Sequence, residues 1–327
     1  MKIIFNLLNV GLGGNGGSST IVKSANMLSF LGHDVIIIDG GRNQYTWSPI
    51  LVDHRVIRNI NDIPPADIII ASGIKSLDST NKSSIRKKVY WCRGWEVWQI
   101  PEIKLVHAIK ESPTFKIVNS LCLQKKFEEF GIKSYVVRPG YDFDEIFPLN
   151  IRKQNKSIIL GGLFNSGIKR KSKRTEWIFS TYKKLKEKHN IELIMFGSDG
   201  TPTFQLKEYF KNPKINIKNE IYNKCDIWLS PSNLEGLHIA PAEAMLAECP
   251  IISTSASMSG TQDYLIHKQT GLISDDNLKD FIRCTEVLIQ KKEIRENLGK
   301  NAREKILELG DRKTNMEKMV KIFQEIK

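Results

Sequence analysis

Several features are missing from this chain of 327 residues. No apolar run reaches the roughly 18 residues that a membrane-spanning helix needs, which argues against an integral membrane protein. The five cysteines have neither C-x-x-C spacing nor histidine partners at zinc spacing, so they predict reduced thiols and no metal site. The first residues lack the small-residue cleavage site of a signal peptide. We therefore expect a cytoplasmic protein.

The chain carries an excess of positive charge. The chain has a formal net charge of +13, of which residues 1–148 carry +4 and the remainder +9. Five of those nine charges lie in one segment, KRKSKR at 169–174. A basic excess concentrated in one loop favours a phosphate ligand over an extended nucleic-acid surface. A solvated charge run is the alternative interpretation.

Apolar strands alternate with helices twice along the chain. The strands are KIIFNLLNV, DVIIID, ADIIIAS, KKVYWCRG, FKIVNS and SYVVRPG in the first half, and KSIILGG, IELIMFG, CDIWLSP and PIISTS in the second. Such alternation predicts the α/β class, with parallel sheets covered by helices on both faces. We expect two doubly wound Rossmann-like domains facing a central cleft, at 1–148 and 149–310. A final helix at 311–327 is expected to pack back on the first domain.

A glycine-rich loop, VGLGGNGGSS, follows the first strand. It places Gly11, Gly13 and Gly16 in the spacing G-x-G-x-x-G, ahead of a helix, and Asp39 ends the next strand. This context is that of a dinucleotide fingerprint, which predicts an NAD-dependent oxidoreductase. The pattern is weak by itself, and bare backbone in such a loop also suits the close approach of another ligand.

The most specific pattern lies at 229–273. Its elements are Pro231-Ser232, Glu235, Glu243 eight residues on, Ala244-Met245, Pro250 and Thr270-Gly271. This arrangement resembles the signature of the family 4 glycosyltransferases, retaining enzymes of the GT-B fold among the glycosyl transferases group 1. The segments IVNSLCLQKKFEEFGI and RPGYDFDEIFP resemble that family's passage from the first domain to the second.

The resemblance implies a donor site in the second domain. Glu243 would accept hydrogen bonds from the ribose hydroxyls of a nucleotide, since two carboxylate oxygens suit a vicinal diol. Glu235 would contact the donor sugar in a catalytic role. The backbone amides of a helix start would face the diphosphate, where unpaired N–H groups favour an anion. The residues of that loop are Gly236, Leu237, His238 and Ile239.

Three positions depart from the family pattern. His238 stands where the family usually has glycine, so it either contacts the phosphates or sugar or packs within the loop. Gly162 stands where an arginine would bind the diphosphate; it either leaves room for the donor or makes a tight turn. Lys173 matches the family's phosphate-binding lysine and is expected in a catalytic role. Arg174 replaces the glycine that follows it and is expected to bind the donor. The neighbouring basic residues would compensate for the missing arginine: Lys169, Arg170 and Lys171.

The first domain would supply the acceptor side. By the resemblance, Gly13 and Gly14 approach the donor phosphate, and Gly16 and Gly17 approach the acceptor. In VYWCRGWEVWQIPE, Arg93 occupies a position where the family often has a histidine that touches the donor sugar. Three nearby side chains would face the acceptor, unless the aromatic ones belong to the core: Trp95, Glu96 and Trp98. We interpret DFD at 142–144 as a turn rather than a metal motif.

The resemblance therefore predicts a retaining, metal-independent glycosyltransferase that needs no cofactor besides a UDP- or GDP-linked sugar as donor. The expected acceptor is a glycan or lipid-linked glycan, and a basic chain would approach an anionic membrane surface at the inner face. Several alternatives stay open. The acceptor could instead be a small molecule, a protein or a modified DNA base. The chain could also be a nucleotide-sugar epimerase, a phosphorylase, an NAD-dependent oxidoreductase, or a subunit that binds sugar nucleotides without turnover.

Overall fold

The computed structural model describes residues 1–41, 44–149, 151–152, 156–166 and 171–326. The chain forms two compact units: unit 1 comprises Met1–Gly140 and Asp311–Lys327, and unit 2 comprises Tyr141–Gly310. The sequence analysis placed the first boundary at residue 148, whereas the structure places it at Gly140. Both units are doubly wound α/β structures, which confirms the predicted fold class.

Unit 1 is built on a parallel sheet. Its strands are β1 (Lys2–Leu7), β2 (Asp34–Asp39), β3 (Asp53–Val56), β4 (Ile68–Ala71), β5 (Lys87–Cys92), β6 (Phe115–Val118) and β7 (Tyr135–Val136). Its first helices are α1 (Gly16–Phe30), α2 (Ile74–Lys82), α3 (Glu102–Glu111) and α4 (Leu121–Glu129). The strand order is β3-β2-β1-β4-β5-β6-β7, so the order reverses between β1 and β4.

Unit 2 repeats the architecture. Its strands are β8 (Ile158–Phe164), β9 (Ile191–Gly197), β10 (Glu208–Lys211), β11 (Ile227–Ser230), β12 (Ile251–Thr254) and β13 (Gly271–Ser274). Its helices are α5 (Thr175–Lys186), α6 (Ile215–Lys224), α7 (Ile239–Leu246), α8 (Leu278–Gln290) and α9 (Lys292–Glu308). The strand order is β10-β9-β8-β11-β12-β13, with the reversal between β8 and β11.

The central strands of each sheet are buried on both faces, as continuous apolar strands require. In β1, Ile3 and Phe5 face one apolar cluster while Ile4 faces another, and all three are fully buried. The last helix, α10 (Arg312–Glu325), packs on α1 of unit 1. Its side chains Met316, Met319 and Phe323 complete the first of these clusters.

Sequence patterns missed several elements. Strand β3 is exposed along its whole length and β10 lies at a sheet edge, so neither has the apolar run that marks a buried strand. Helix α1 begins at Gly16, earlier than its apolar periodicity suggests, because the Asn15 side chain accepts from the Ser18 amide and caps the helix. Within the described part of the chain, no helix combines the length and apolarity needed to cross a bilayer.

Candidate active site

The loops that follow β8 and β11 meet at the carboxyl edge of the unit 2 sheet, where the strand order reverses. The Asn233 amide donates to the Ser172 carbonyl at 3.0 Å, which ties the two loops together. In open parallel sheets, ligands bind at this reversal. Lys169 and Arg170, expected here as auxiliary cations, lie outside the described residues.

Lys173 and Glu235 form an ion pair across these two loops. Lys173 Nζ lies 2.5 Å from Glu235 Oε1, and their side chains are only 14% and 12% exposed. The structure thus brings together the predicted phosphate-binding lysine and the predicted sugar-binding carboxylate. Such a buried pair is costly to break from one side, because the remaining charge loses its compensation.

His238 belongs to the same cluster. Its Nε2 lies 3.5 Å from Glu235 Oε1, and its Nδ1 lies 3.0 Å from the Ser230 hydroxyl. Burial lowers the pKa of His238 to about 4, opposed by Glu235 and aided by Lys173. Burial also works against ionisation of Glu235, but His238, Lys173 and a hydrogen bond from Ser232 hold the pKa of that carboxyl below its ordinary value. His238 is neutral at pH 7, so Lys173 supplies the compensating charge there.

A third loop, which follows β12, supports this cluster. The Glu235 amide donates to the Met258 carbonyl at 2.7 Å, and the His238 amide donates to the Gly260 carbonyl at 3.0 Å. The expectation that the His238 amide faces a diphosphate is therefore wrong in this structure, because that N–H is already used within the protein. Ile239 begins α7, and the Leu237 side chain is buried.

Gly260 and Gly236 lie against each other where the loops after β12 and β11 meet. Gly260 has a left-handed φ of +73°, and a Cβ there would come within 2.5 Å of Glu235 Cβ and 3.2 Å of the Gly236 carbonyl oxygen. A glycine is required at 260 both for its conformation and for the close approach of the two loops.

Arg174 precedes α5 in the left-handed region, at φ +50°. Its guanidinium pairs with the Asp276 carboxylate and stacks over Trp177, 4.4 Å from the ring centre. The hydrogen bonds from Arg174 lower the pKa of Asp276. The backbone conformation explains why a glycine suits this position in the family pattern. The ion pair occupies a side chain that was expected to bind the donor.

Glu243 lies on α7 beside two residues of α6. The Tyr222 hydroxyl donates to Glu243 Oε2 at 2.7 Å, and Lys218 Nζ lies 4.0 Å from the same oxygen. Burial, together with the Glu243 charge, raises the pKa of Tyr222 well above its ordinary value, so the hydroxyl stays a donor. The Glu243 side chain is 18% exposed, and both of these contacts are made by Oε2.

Gly162 has a packing role that the sequence did not indicate. It lies within β8, and a Cβ there would come within 2.8 Å of Ile178 Cδ1 on α5. The space beside Gly162 is therefore filled by a core side chain. The expectation that it leaves room for a donor is not met.

In unit 1, the glycine-rich loop is closed by its own hydrogen bonds. The Gly13 amide donates to the Ser18 hydroxyl at 3.1 Å, so this amide is used within the loop. The approach of Gly13 and Gly14 to a donor phosphate stays a prediction. A Cβ on Gly14 would come within 3.1 Å of Trp47 Nε1. At Gly16, nothing lies within 4 Å of the corresponding position, which keeps the surface of α1 open at its start.

Arg93 anchors this loop to its neighbour. Its guanidinium donates to the carbonyls of Gly17 and Ser72, at the carboxyl side of β4. Burial lowers the pKa of Arg93, opposed by Glu96. Arg93 thus braces the loops of unit 1, which is a different placement from the direct donor contact that the family comparison implied.

Glu96 follows β5 in the chain, and its side chain contacts the first residue of α2. Its Oε2 accepts from the Ile74 amide at 3.0 Å, and a Cβ on Gly73 would come within 3.3 Å of its Oε1. Burial raises the pKa of Glu96, against the lowering effects of the Ile74 amide, Arg93 and Lys75. A carboxyl group with a raised pKa at the carboxyl edge of a parallel sheet is typical of a functional site.

The two tryptophans beside Glu96 differ in exposure. Trp95 is 2% exposed and stacks on Phe130, and its indole N–H donates to Glu102 at 2.6 Å. The expectation that Trp95 faces an acceptor is therefore wrong, because its ring belongs to the core. Trp98 is 55% exposed and lies over Gly94, where a Cβ would come within 3.0 Å of the ring.

Asp39 does not offer a carboxylate to a dinucleotide. Its Oδ2 lies 2.7 Å from His54 Nε2 on β3, and its Oδ1 accepts from the Gly41 amide. With 1% exposure, this side chain joins β2 to β3 instead of binding a ribose. The feature that would complete a dinucleotide fingerprint is thus used for structure. Ser230, Tyr222 and Asp276, which contact the candidate site residues, carry no local signal in the sequence.

Residues 163–305 match the family described as Glycosyl transferases group 1. A curated relative from Campylobacter jejuni, N,N'-diacetylbacillosaminyl-diphospho-undecaprenol alpha-1,3-N-acetylgalactosaminyltransferase, is 22% identical over 218 residues. The match covers 64% of this chain and 55% of the relative, so it spans little more than half the relative's length.

Solved structures share the fold along nearly the whole chain. Sucrose-phosphate synthase from Thermosynechococcus elongatus is 11% identical with a TM-score of 0.78, covering 99% of this chain and 98% of its own. Anabaena Alr3699/HepE, in complex with UDP and glucose, is 14% identical with a TM-score of 0.77, covering 99% and 100%. The match to the glycosyl transferases group 1 family, at 163–305, lies within unit 2, whereas the likeness in fold extends over both units.

Proposed function

We propose that this chain is a glycosyltransferase that moves a sugar from a nucleoside-diphosphate sugar to a hydroxyl group of a glycan or lipid-linked glycan. The observation that carries the proposal is the Lys173–Glu235 pair at the reversal point of the unit 2 sheet, within the segment that matches the family. A cation and a carboxylate held together there suit the two halves of a sugar diphosphate.

The donor would bind to unit 2. Lys173 would neutralise the charge that develops on the leaving diphosphate as the bond to the sugar breaks. Glu235 would accept hydrogen bonds from sugar hydroxyls, and Glu243 from those of the ribose. The Tyr222 hydrogen bond fixes the Glu243 carboxylate for that contact. UDP is our first choice of nucleotide, since a structure of the same fold binds it.

The acceptor would bind to unit 1. Glu96 and the exposed Trp98 lie two residues apart after β5, and they offer a carboxylate oxygen and an aromatic ring to a sugar. Lipid-linked acceptors are favoured because the curated relative is named for an undecaprenol diphosphate acceptor. We further propose a retaining reaction without a metal ion, in which the leaving phosphate takes the proton of the acceptor hydroxyl.

Thermal denaturation with added nucleotides tests the donor assignment. UDP, GDP, their common sugars and NAD would be added to the wild type, to Glu243→Ala and to the control Glu220→Ala, which removes an exposed carboxylate from α6. We expect one nucleotide class to raise the melting temperature through preferential binding to the folded state. Loss of the charged hydrogen bonds should weaken its affinity about ten-fold in Glu243→Ala.

Four further results bear on the proposal. Stabilisation by NAD alone would contradict it and favour an oxidoreductase. Nucleotide binding without sugar transfer to any lipid-linked glycan would favour a binding subunit or an epimerase. Once a product is obtained, the anomeric configuration of the transferred sugar decides the stereochemistry, and activity after chelator treatment decides the metal requirement.

A further inference from the structure

His238 is held in the candidate site by contacts on all sides. Its imidazole lies between the Ser230 hydroxyl and the Glu235 carboxylate, and it is 6% exposed. Its backbone carbonyl accepts from the Tyr264 hydroxyl at 2.5 Å, and its amide donates to Gly260. A carboxylate can only accept, so a proton on Nε2 suits the nitrogen that lies 3.5 Å from Glu235, and in that tautomer the Ser230 hydroxyl donates to Nδ1.

Lys173 has two competing partners if the chain binds a sugar diphosphate. In this structure its ammonium group faces Glu235 at 2.5 Å. A donor diphosphate would draw the ammonium group toward its own negative charge and weaken that contact. Glu235, whose side chain is only 12% exposed, would then lose its main compensating charge. A buried carboxylate that loses its compensating charge is strongly destabilised.

We propose that His238 is a positioning residue that keeps the Glu235 carboxylate ionised and oriented once Lys173 has turned to the donor diphosphate. The proposal rests on the proposed function, because it needs a nucleotide in the site. A neutral imidazole suits this role: it gives Glu235 a hydrogen bond without adding a cation that would compete for the diphosphate. The charged and titratable groups that act on the imidazole are Glu235, from the same loop, and Lys173, from the segment before α5.

Calorimetry of nucleotide binding tests the proposal without requiring an acceptor. UDP, or GDP if only that nucleotide stabilises the protein, would be titrated at pH 5.5–7 in buffers of different ionisation enthalpy. The wild type should bind nucleotide with little proton uptake. His238→Leu should take up a proton on binding, because Glu235 then lacks the effects of both Lys173 and His238, the Ser232 hydrogen bond alone offsets burial less well, and the pKa of Glu235 rises. His238→Gln, which keeps a donor and an acceptor, should resemble the wild type.

Turnover provides the second readout. With the sugar nucleotide that binds, release of nucleoside diphosphate should have kcat about ten-fold lower in His238→Leu, as expected for a lost hydrogen bond to a charged group. The acid limb of kcat should move to higher pH in this variant, while that of kcat/KM stays in place. The reason is that the free enzyme retains the Lys173–Glu235 pair.

Tyr264→Phe separates positioning from simple support of the loop. It removes the hydroxyl that donates to the His238 carbonyl but leaves the imidazole intact. Equal effects of Tyr264→Phe and His238→Leu, or nucleotide binding by His238→Leu without proton uptake, would overturn the proposal. If neither UDP nor GDP binds the wild type, the proposed function itself fails and this inference with it.

Discussion

The Arg174 guanidinium forms two hydrogen bonds with the Asp276 carboxylate while its own backbone is in the left-handed region, at φ +50°. A left-handed conformation costs a non-glycine residue about 1 kcal/mol. Asp276 is 39% exposed, so the ion pair returns at most about 1 kcal/mol. We expect Arg174→Gly to change the free energy of unfolding by less than about 0.5 kcal/mol, since the two effects oppose each other.

Asp276→Asn separates the effect of the ion pair from that of the left-handed backbone, because it weakens the pair and leaves the conformation of Arg174 unchanged. It should lower the free energy of unfolding by about 0.5 kcal/mol. Adding Arg174→Gly to Asp276→Asn should then raise it by about 1 kcal/mol. Urea unfolding of the four proteins measures this cycle. If Arg174→Gly changed the free energy of unfolding equally in both backgrounds, the ion pair between Arg174 and Asp276 would contribute nothing to stability.

Glu96→Gln should stabilise unit 1 at neutral pH. Burial raises the pKa of Glu96 above its ordinary value of 4.5, so ionisation costs more in the folded state than in the unfolded one. The stability that protonated Glu96 contributes is present below pH 4.5 and is lost as pH rises through the raised folded pKa. Urea unfolding at pH 4 and pH 7 should show an advantage of Glu96→Gln at pH 7 that disappears at pH 4. An advantage independent of pH would contradict the assignment.

Gly260→Ala should damage the candidate site, and Gly32→Ala provides a matched control. Both glycines have left-handed backbones, at φ +73° and +86°. At Gly32 nothing lies within 4 Å of the added methyl, so only the conformational cost of about 1 kcal/mol applies. At Gly260 the methyl meets Glu235 Cβ at 2.5 Å, so one of the loops must move. Only Gly260→Ala should also weaken nucleotide binding, as measured by calorimetry.

The two tryptophans after β5 should give opposite results. Trp95→Ala removes a buried ring and should lower the free energy of unfolding by about 3–5 kcal/mol. Trp98→Ala removes a ring that is 55% exposed and should cost less than about 1 kcal/mol, while it lowers turnover with a glycan acceptor by raising KM. Unchanged KM in Trp98→Ala would remove this residue from the acceptor site.

The sequence predicted the two sheets from local patterns of buried strands, and motif spacing led the resemblance to place Lys173 and Glu235 in one donor site; their direct contact was not predicted. It could not predict the partners that fix the site residues. Asp276 is far from Arg174 along the chain, and only the folded sheet brings them together. Tyr222 lies in a helix that the pattern missed, so its bond to Glu243 had no local signal.

Glycine positions show a further limit of sequence patterns. Gly162 was expected beside a donor, but its missing side chain accommodates Ile178 in the core. The sequence does not distinguish a glycine that leaves space for a ligand from one that leaves space for a neighbouring helix. Trp95 and Trp98 pose the same difficulty, since only the three-dimensional packing separates the buried ring from the exposed one.

Helix α10 belongs to unit 1 although the whole of unit 2 precedes it in the chain. Gly140, the last residue of the first segment of unit 1, packs against the start of α10. A Cβ on Gly140 would come within 2.4 Å of the Arg312 backbone, and the Arg312 guanidinium donates to the Pro139 carbonyl. During synthesis, the continuous unit 2 therefore leaves the ribosome before the last piece of the unit 1 core. The apolar core of unit 1 therefore cannot be completed until Met316, Met319 and Phe323 have been synthesised.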